Sequence, residues 1–74
     1  MEPDEVRKWL GRCPIRIRMN NGDTYEIPSP EFALVGDYSV AVLTRKDGHM
    51  LNLLLALVNI SEISEQTQPA DKAR

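Results

Sequence analysis

Seventy-four residues with a net charge of −2 make one small domain at most, which buries only about 60% of its unfolded surface and is marginally stable alone. A single cysteine, Cys13, excludes an intramolecular disulfide. Cys13 and the single His49 also fall short of the roughly four ligands of a structural zinc site. The chain reads without a basic, apolar leader and without an apolar run of about 18 residues, which with a lone thiol predicts a cytoplasmic protein that gains its extra support from self-association.

Residues 3 to 10 read as a helix. Pro3 suits the first turn, Asp4 and Glu5 sit where the helix dipole favours acids, and Arg7 and Lys8 lie toward the other end. Gly11 and Pro14 mark the stop. Val6, Trp9, Leu10 and Cys13 form one apolar stripe, which must dock because two turns of helix do not hold by themselves.

Ile15-Arg16-Ile17-Arg18-Met19 and Thr24-Tyr25-Glu26-Ile27 alternate as strands around Asn20-Asn21-Gly22. A two-residue loop would set Ile17 against Glu26 and Met19 against Thr24, apolar against polar. A three-residue loop pairs Ile17 with Tyr25, Ile15 with Ile27, Arg16 with Glu26 and Arg18 with Thr24, which matches both faces. The second register is preferred, with Gly22 in the left-handed conformation.

Residues 28 to 36 read as a helical turn, with Ser29 as cap, Pro30 first, Glu31 in the opening turn and Gly36 as stop. Phe32 and Val35 would close over the core. A strand over residues 39 to 44, a turn at Arg45-Lys46-Asp47-Gly48, a strand over 50 to 55, a brief turn near Ala56 or Leu57 and a last strand around 59 to 64 complete the pattern. Residues 1 to 64 form the expected domain. Residues 65 to 74 lack apolar spacing and are expected as a disordered tail. The fold class is all-β, a five-stranded small barrel with a short N-terminal α-helix.

The run from Leu51 to Ile60 is apolar except at Asn52 and Asn59. Leu51, Leu53, Leu55 and Leu57 share one face of an unbroken strand, and Leu54, Ala56, Val58 and Ile60 share the other. Apolar residues on both faces imply that both are covered. In so short a chain the second cover is expected from another subunit, unless a turn near Ala56 flips the alternation and sends the side chains inward. The expected oligomer interface is Leu51, Leu53, Leu54, Leu55 and Leu57.

Charge is segregated. Arg7, Lys8, Arg12, Arg16 and Arg18 occur without an acid between them, while Asp23, Glu26, Glu31 and Asp37 follow without a base. A local positive patch on a mildly acidic whole would hold phosphates by nonspecific attraction, with Tyr25 or Tyr38 stacking on bases if exposed. His49 reads as a solvated turn residue and Cys13 as a thiol tucked beneath the helix. Asp37, Ser39 and His49 are residue types of a hydrolytic triad, but nothing in their spacing gathers them, and so few ordered residues leave little room for a substrate cavity. The chain is expected to be no enzyme, with no metal, cofactor, small-molecule substrate or membrane partner.

The order helix, strand, Asn/Gly turn, bent strand, link, strand, turn, strand, short turn and final strand resembles the Sm-like barrels, including the bacterial Hfq type, and more loosely the SH3-like barrels. The resemblance spans residues 3 to 64 and is carried by the stretch from Ile15 to Ile27 and by Val58-Asn59-Ile60-Ser61-Glu62-Ile63. The passage from Asn21-Gly22 to Ser29-Pro30-Glu31-Phe32 also resembles a group of short bacterial proteins with a strand–Asp/Asn-Gly–strand–His/Ser-Pro-Glu-Phe arrangement. Resemblance to Sm-like proteins implies ring assembly through the last two strands and binding of RNA, often uridine-rich, around a pore. By the same resemblance Asn59 is the polar group at the pore. Where the Hfq type carries Tyr-Lys-His before its Ile-Ser, this chain has Ala56-Leu57-Val58-Asn59 before Ile60-Ser61. The Sm pattern of Asp and Met-Asn in the third strand and the closing Arg-Gly are also missing. The expected function is a nonenzymatic homo-oligomer that binds RNA or single-stranded nucleic acid through Arg7, Lys8, Arg12, Arg16 and Arg18. The alternative is an SH3-like protein-interaction or assembly module without nucleic-acid binding.

Overall fold

The computed structural model describes residues 1–66; the expected tail from 67 to 74 lies outside them. One helix, α1 (Pro3–Leu10), is followed by β1 (Ile15–Met19), β2 (Thr24–Ile27), β3 (Ala33–Val35), β4 (Ser39–Lys46), β5 (His49–Ala56) and β6 (Ile60–Glu65). Short 3-10 turns occupy Pro30–Phe32 and Leu57–Asn59. The chain is mainly β, as expected, but the count and closure differ. Among the described residues six strands form two three-stranded antiparallel sheets, ordered β2–β1–β6 and β3–β4–β5, and neither closes into a barrel.

The first hairpin has the register that the matched faces require: Ile15 opposite Ile27, Arg16 opposite Glu26, Ile17 opposite Tyr25 and Arg18 opposite Thr24. Gly22 sits at φ 94°, and its N–H donates to the Met19 carbonyl at 2.9 Å. The Asn21 side-chain oxygen accepts from the Asp23 N–H at 2.9 Å, so the turn satisfies its own backbone.

The added strand is β3, where a helical turn through Gly36 was expected. The signals at Ser29, Pro30 and Glu31 hold for three residues only. One isolated turn of helix gains little. By extending instead, Ala33 and Val35 lie opposite Val42 and Val40 and pack on the core. The second hairpin is also tighter than expected. Its loop is Asp47-Gly48 alone, both at positive φ (53° and 80°), and β4 runs on to Lys46, paired with His49. Two positive-φ residues match the twist of the flanking strands.

After β5 the alternation changes phase. The 3-10 turn at Leu57–Asn59 buries Leu57 and turns Val58 out. In β6 the pairing with β1 jumps from Met19 opposite Ile60 to Arg18 opposite Glu62. Ser61 is therefore an extra residue, and its hydroxyl donates to the Arg18 carbonyl at 3.1 Å. Turn and bulge together bring Leu57, Ile60 and Ile63 inward. β6 also runs to Glu65, opposite Ile15, and the Gln66 N–H donates to the Pro14 carbonyl at 2.8 Å. The ordered domain thus passes the expected boundary at 64, because β1 offers partners for two more residues.

The core lies between the two sheets. Ile15 and Ile17 from the central strand β1 meet Ile27, Val40, Val42, Leu55 and Leu57. α1 lies beside β3, with Val6 and Leu10 buried and Trp9 and Cys13 half-buried. The Arg12 guanidinium covers the Trp9 ring at 5.5 Å. Gly11 keeps right-handed helical geometry, so Pro14 ends the helix rather than a left-handed glycine.

Gly22→Val forces a β-branched residue into positive φ, while its side chain meets open space. A loss of about 1–2 kcal/mol is expected from backbone strain alone, read as a lower thermal midpoint. Unchanged melting would contradict the turn geometry.

Candidate functional site

The outward faces of the two sheets differ in kind. On β2–β1–β6, Arg16 Nη2 lies 2.9 Å from Glu26 Oε2 and Arg18 Nη1 lies 3.6 Å from Glu62 Oε1. Beyond the sheet, Arg12 Nη1 is 3.2 Å from Glu65 Oε2, and on the helix Arg7 Nη1 is 2.8 Å from Asp4 Oδ1. Four of the five cations of the expected nucleic-acid patch thus face a carboxylate; the fifth, Lys8, is exposed on α1. All four pairs are largely solvated, so each is worth about 0–1 kcal/mol at most, but together they make a mixed-charge face instead of a positive band. The Glu62 and Glu65 partners come from the far end of the chain, out of reach of local charge counting.

Of the two tyrosines proposed for stacking, Tyr25 is half-buried on the inner side opposite Ile17. Tyr38 is exposed but precedes β4, in the other sheet from Arg16 and Arg18. Asn59 is exposed, and its carbonyl accepts from the Asn20 N–H at 2.7 Å, which ties the first hairpin loop to the 3-10 turn before β6.

The outer face of β3–β4–β5 is apolar. Leu34 lies opposite Ala41, and Ala41 opposite Leu54, which makes a row of two leucines flanking a small residue. Leu34 is 76% exposed and Leu54 74%. Met50 and Asn52 continue the outward side of β5. The expected interface leucines divide three ways. Leu54 faces solvent. Leu51 and Leu53 point inward but stay half-exposed. Leu55 and Leu57 belong to the chain's own core, because the turn at Leu57–Asn59 keeps Leu57 inside. Leu34 was not among the expected interface residues. Its signal was the alternation Ala33-Leu34-Val35, hidden by the helix-start residues just before it.

Edges matter as much as faces. β2 is short, carries Glu26 and runs into Pro28. β3 has three residues and lies beside α1. β6 has the Ser61 bulge with Glu62 and Glu65. β5, His49-Met50-Leu51-Asn52-Leu53-Leu54-Leu55-Ala56, has eight residues in unbroken register with β4 and carries no Pro, Lys, Arg, Asp or Glu. Charges, proline, bulges and brevity are the usual guards of an edge strand, and β5 lacks all of them.

The structure does not bring Ser39 and His49 together. Ser39 lies opposite Ala56 and His49 opposite Lys46, at opposite ends of the β4–β5 hairpin. The Cys13 thiol is half-buried, and burial pushes its pKa up. Among the described residues no helix is long and apolar enough to cross a membrane. Comparison with protein-family models, with curated proteins and with solved structures finds no match.

Two measurements check these assignments. Because its pKa is raised, Cys13 holds less thiolate than a free cysteine at any pH near 8, so alkylation by iodoacetamide in the folded protein should be slower than for a free thiol; equal rates would contradict its burial. Glu26→Gln with Glu62→Gln frees Arg16 and Arg18, so the double variant should retain short RNA at low salt better than wild type. Equal retention would show that the ion pairs do not mask the arginines.

Proposed function

We propose that this chain is a nonenzymatic homo-oligomeric module whose two open sheets follow the Sm-like or SH3-like pattern, and that its biochemical role is assembly. Element order supports the fold reading. β2 and β3 follow one another with one in each sheet, as two halves of a bent strand interrupted by the Pro30–Phe32 turn. The observation that carries the functional reading is β5, a long, uncharged, unguarded edge strand bordering the exposed Leu34–Ala41–Leu54 row. Half-exposed Leu51 and Leu53 add to it, since inward-pointing leucines beside a free edge gain burial when another strand joins. Each fully buried Leu is worth roughly 1.5–3 kcal/mol, a large fraction of the stability of so small a domain.

Binding of RNA or single-stranded nucleic acid is the second reading. Arg16 and Arg18 on one exposed face, with Lys8 on α1, favour it. It ranks below assembly because Glu26 and Glu62 stand against those arginines. Under the assembly reading no pore is required, and salt-sensitive RNA retention is an added property rather than the primary one.

Solution mass tests the proposal. Wild-type protein should run as a multimer at micromolar concentration, and Leu54→Lys, which charges the exposed side of β5, should shift it to monomer mass with its circular dichroism unchanged. A wild-type monomer would overturn the assembly role. Saturable RNA binding by that monomer would restore the nucleic-acid reading in its place.

A further inference from the structure

The four sheet edges are unequal, and that inequality limits how copies can join. A head-to-tail contact needs two different free edges. β2, β3 and β6 are each guarded, by Glu26 and Pro28, by brevity and the adjacent helix, and by the Ser61 bulge with Glu62 and Glu65 respectively. An unguarded edge with no unguarded counterpart among the described residues has one suitable partner, the same edge of a second copy. Pairing of that kind is twofold and closes on itself.

We propose that two copies of this chain join β5 to β5 in antiparallel fashion, with Asn52 on the twofold axis, so that two β3–β4–β5 sheets become one six-stranded sheet. This inference rests on the assembly role above and gives it a partner and a geometry.

The register follows from the side chains. Directly opposed residues of an antiparallel pair lie on the same face. On β5 the even-numbered residues from Met50 to Ala56 point outward, and Leu51, Leu53 and Leu55 point inward. With Asn52 on the axis, the two Asn52 amides meet and can hydrogen-bond to each other. Met50 opposes Leu54 of the partner subunit, and Leu51 opposes Leu53 of the partner subunit. From Met50 to Leu54 polar meets polar and apolar meets apolar on both faces; at the ends of the pairing His49 opposes Leu55 of the partner subunit. Moving the axis to Leu53 sets Asn52 against Leu54 of the partner subunit and loses that match. The Asn52 register also explains why the leucine run contains one amide, at the position where a leucine would leave other registers equally good. It covers the half-exposed Leu51 and Leu53 from the side that the chain itself leaves open.

Single cysteines test the geometry. Opposed Cα atoms in an antiparallel pair lie about 4.5–5.5 Å apart, inside the range a disulfide spans. Asn52→Cys should therefore give a covalent dimer under mild oxidation, with the 52–52 disulfide confirmed by peptide mass. Met50→Cys and Leu54→Cys should each fail to cross-link to themselves, and a mixture of those two variants should cross-link to each other. Asn52→Asp, which sets like charges face to face, should weaken the dimer with no change in circular dichroism. A wild-type mass of two copies with this cross-linking pattern supports the proposal. A stable mass of six or seven copies, or a dimer in which position 52 does not cross-link, overturns the β5–β5 geometry and leaves the assembly role standing. A wild-type monomer at all concentrations overturns both.

Discussion

Two open three-stranded sheets have four edges, and the rest of this structure follows from how those edges are handled. A free edge exposes unpaired backbone groups and invites another strand. The chain spends its irregular features there: a helix beside β3, an extra serine in β6, a proline after β2 and acids on β2 and β6. β5 receives none of these. Its regularity stands out because its neighbours are so consistently interrupted.

The core explains why the remaining edge has consequences. Ile15 and Ile17 on the central strand of one sheet and Val40 and Val42 on that of the other are essentially inaccessible. Around them the apolar supply runs out quickly, so inward-pointing Leu51 and Leu53 stay half-exposed. A domain of this size holds little stability in reserve, and a second strand alongside β5 adds burial where the single chain has none left to give. The same logic separates the two outer faces. One is a lattice of opposed charges that water satisfies. The other is a row of leucines that water does not.

Charge illustrates how sequence order and spatial order diverge. Along the chain the arginines from Arg7 to Arg18 form a block without acids. In space Glu26 and Glu62 flank them across the sheet, and Glu65 arrives through the last strand to meet Arg12. A block of one sign in sequence became a face of both signs, since neighbours in a sheet are set by strand pairing. Such solvated pairs add little to stability, and they lower the positive potential of that face.

What the sequence determined by itself was governed by near neighbours: the helix over residues 3 to 10, the first hairpin with its register, the left-handed Gly22 and the existence of β4, β5 and β6. Alternation over a few residues and a turn with one workable loop length are enough for that, because the interacting side chains lie within about a dozen positions. The tertiary structure decided the remainder. Ala33–Val35 became a strand because Val40 and Val42 offered burial that an isolated helical turn does not have. Ile60 went to the core while Val58 stayed outside, although one strand face would hold both, because a turn and a one-residue bulge changed the phase after Leu57. The bulge depends on β6 meeting β1 from the far end of the chain, while the nearby pairing of Ala33–Val35 was hidden by the helix-start residues Ser29, Pro30 and Glu31, so local periodicity carries no record of either.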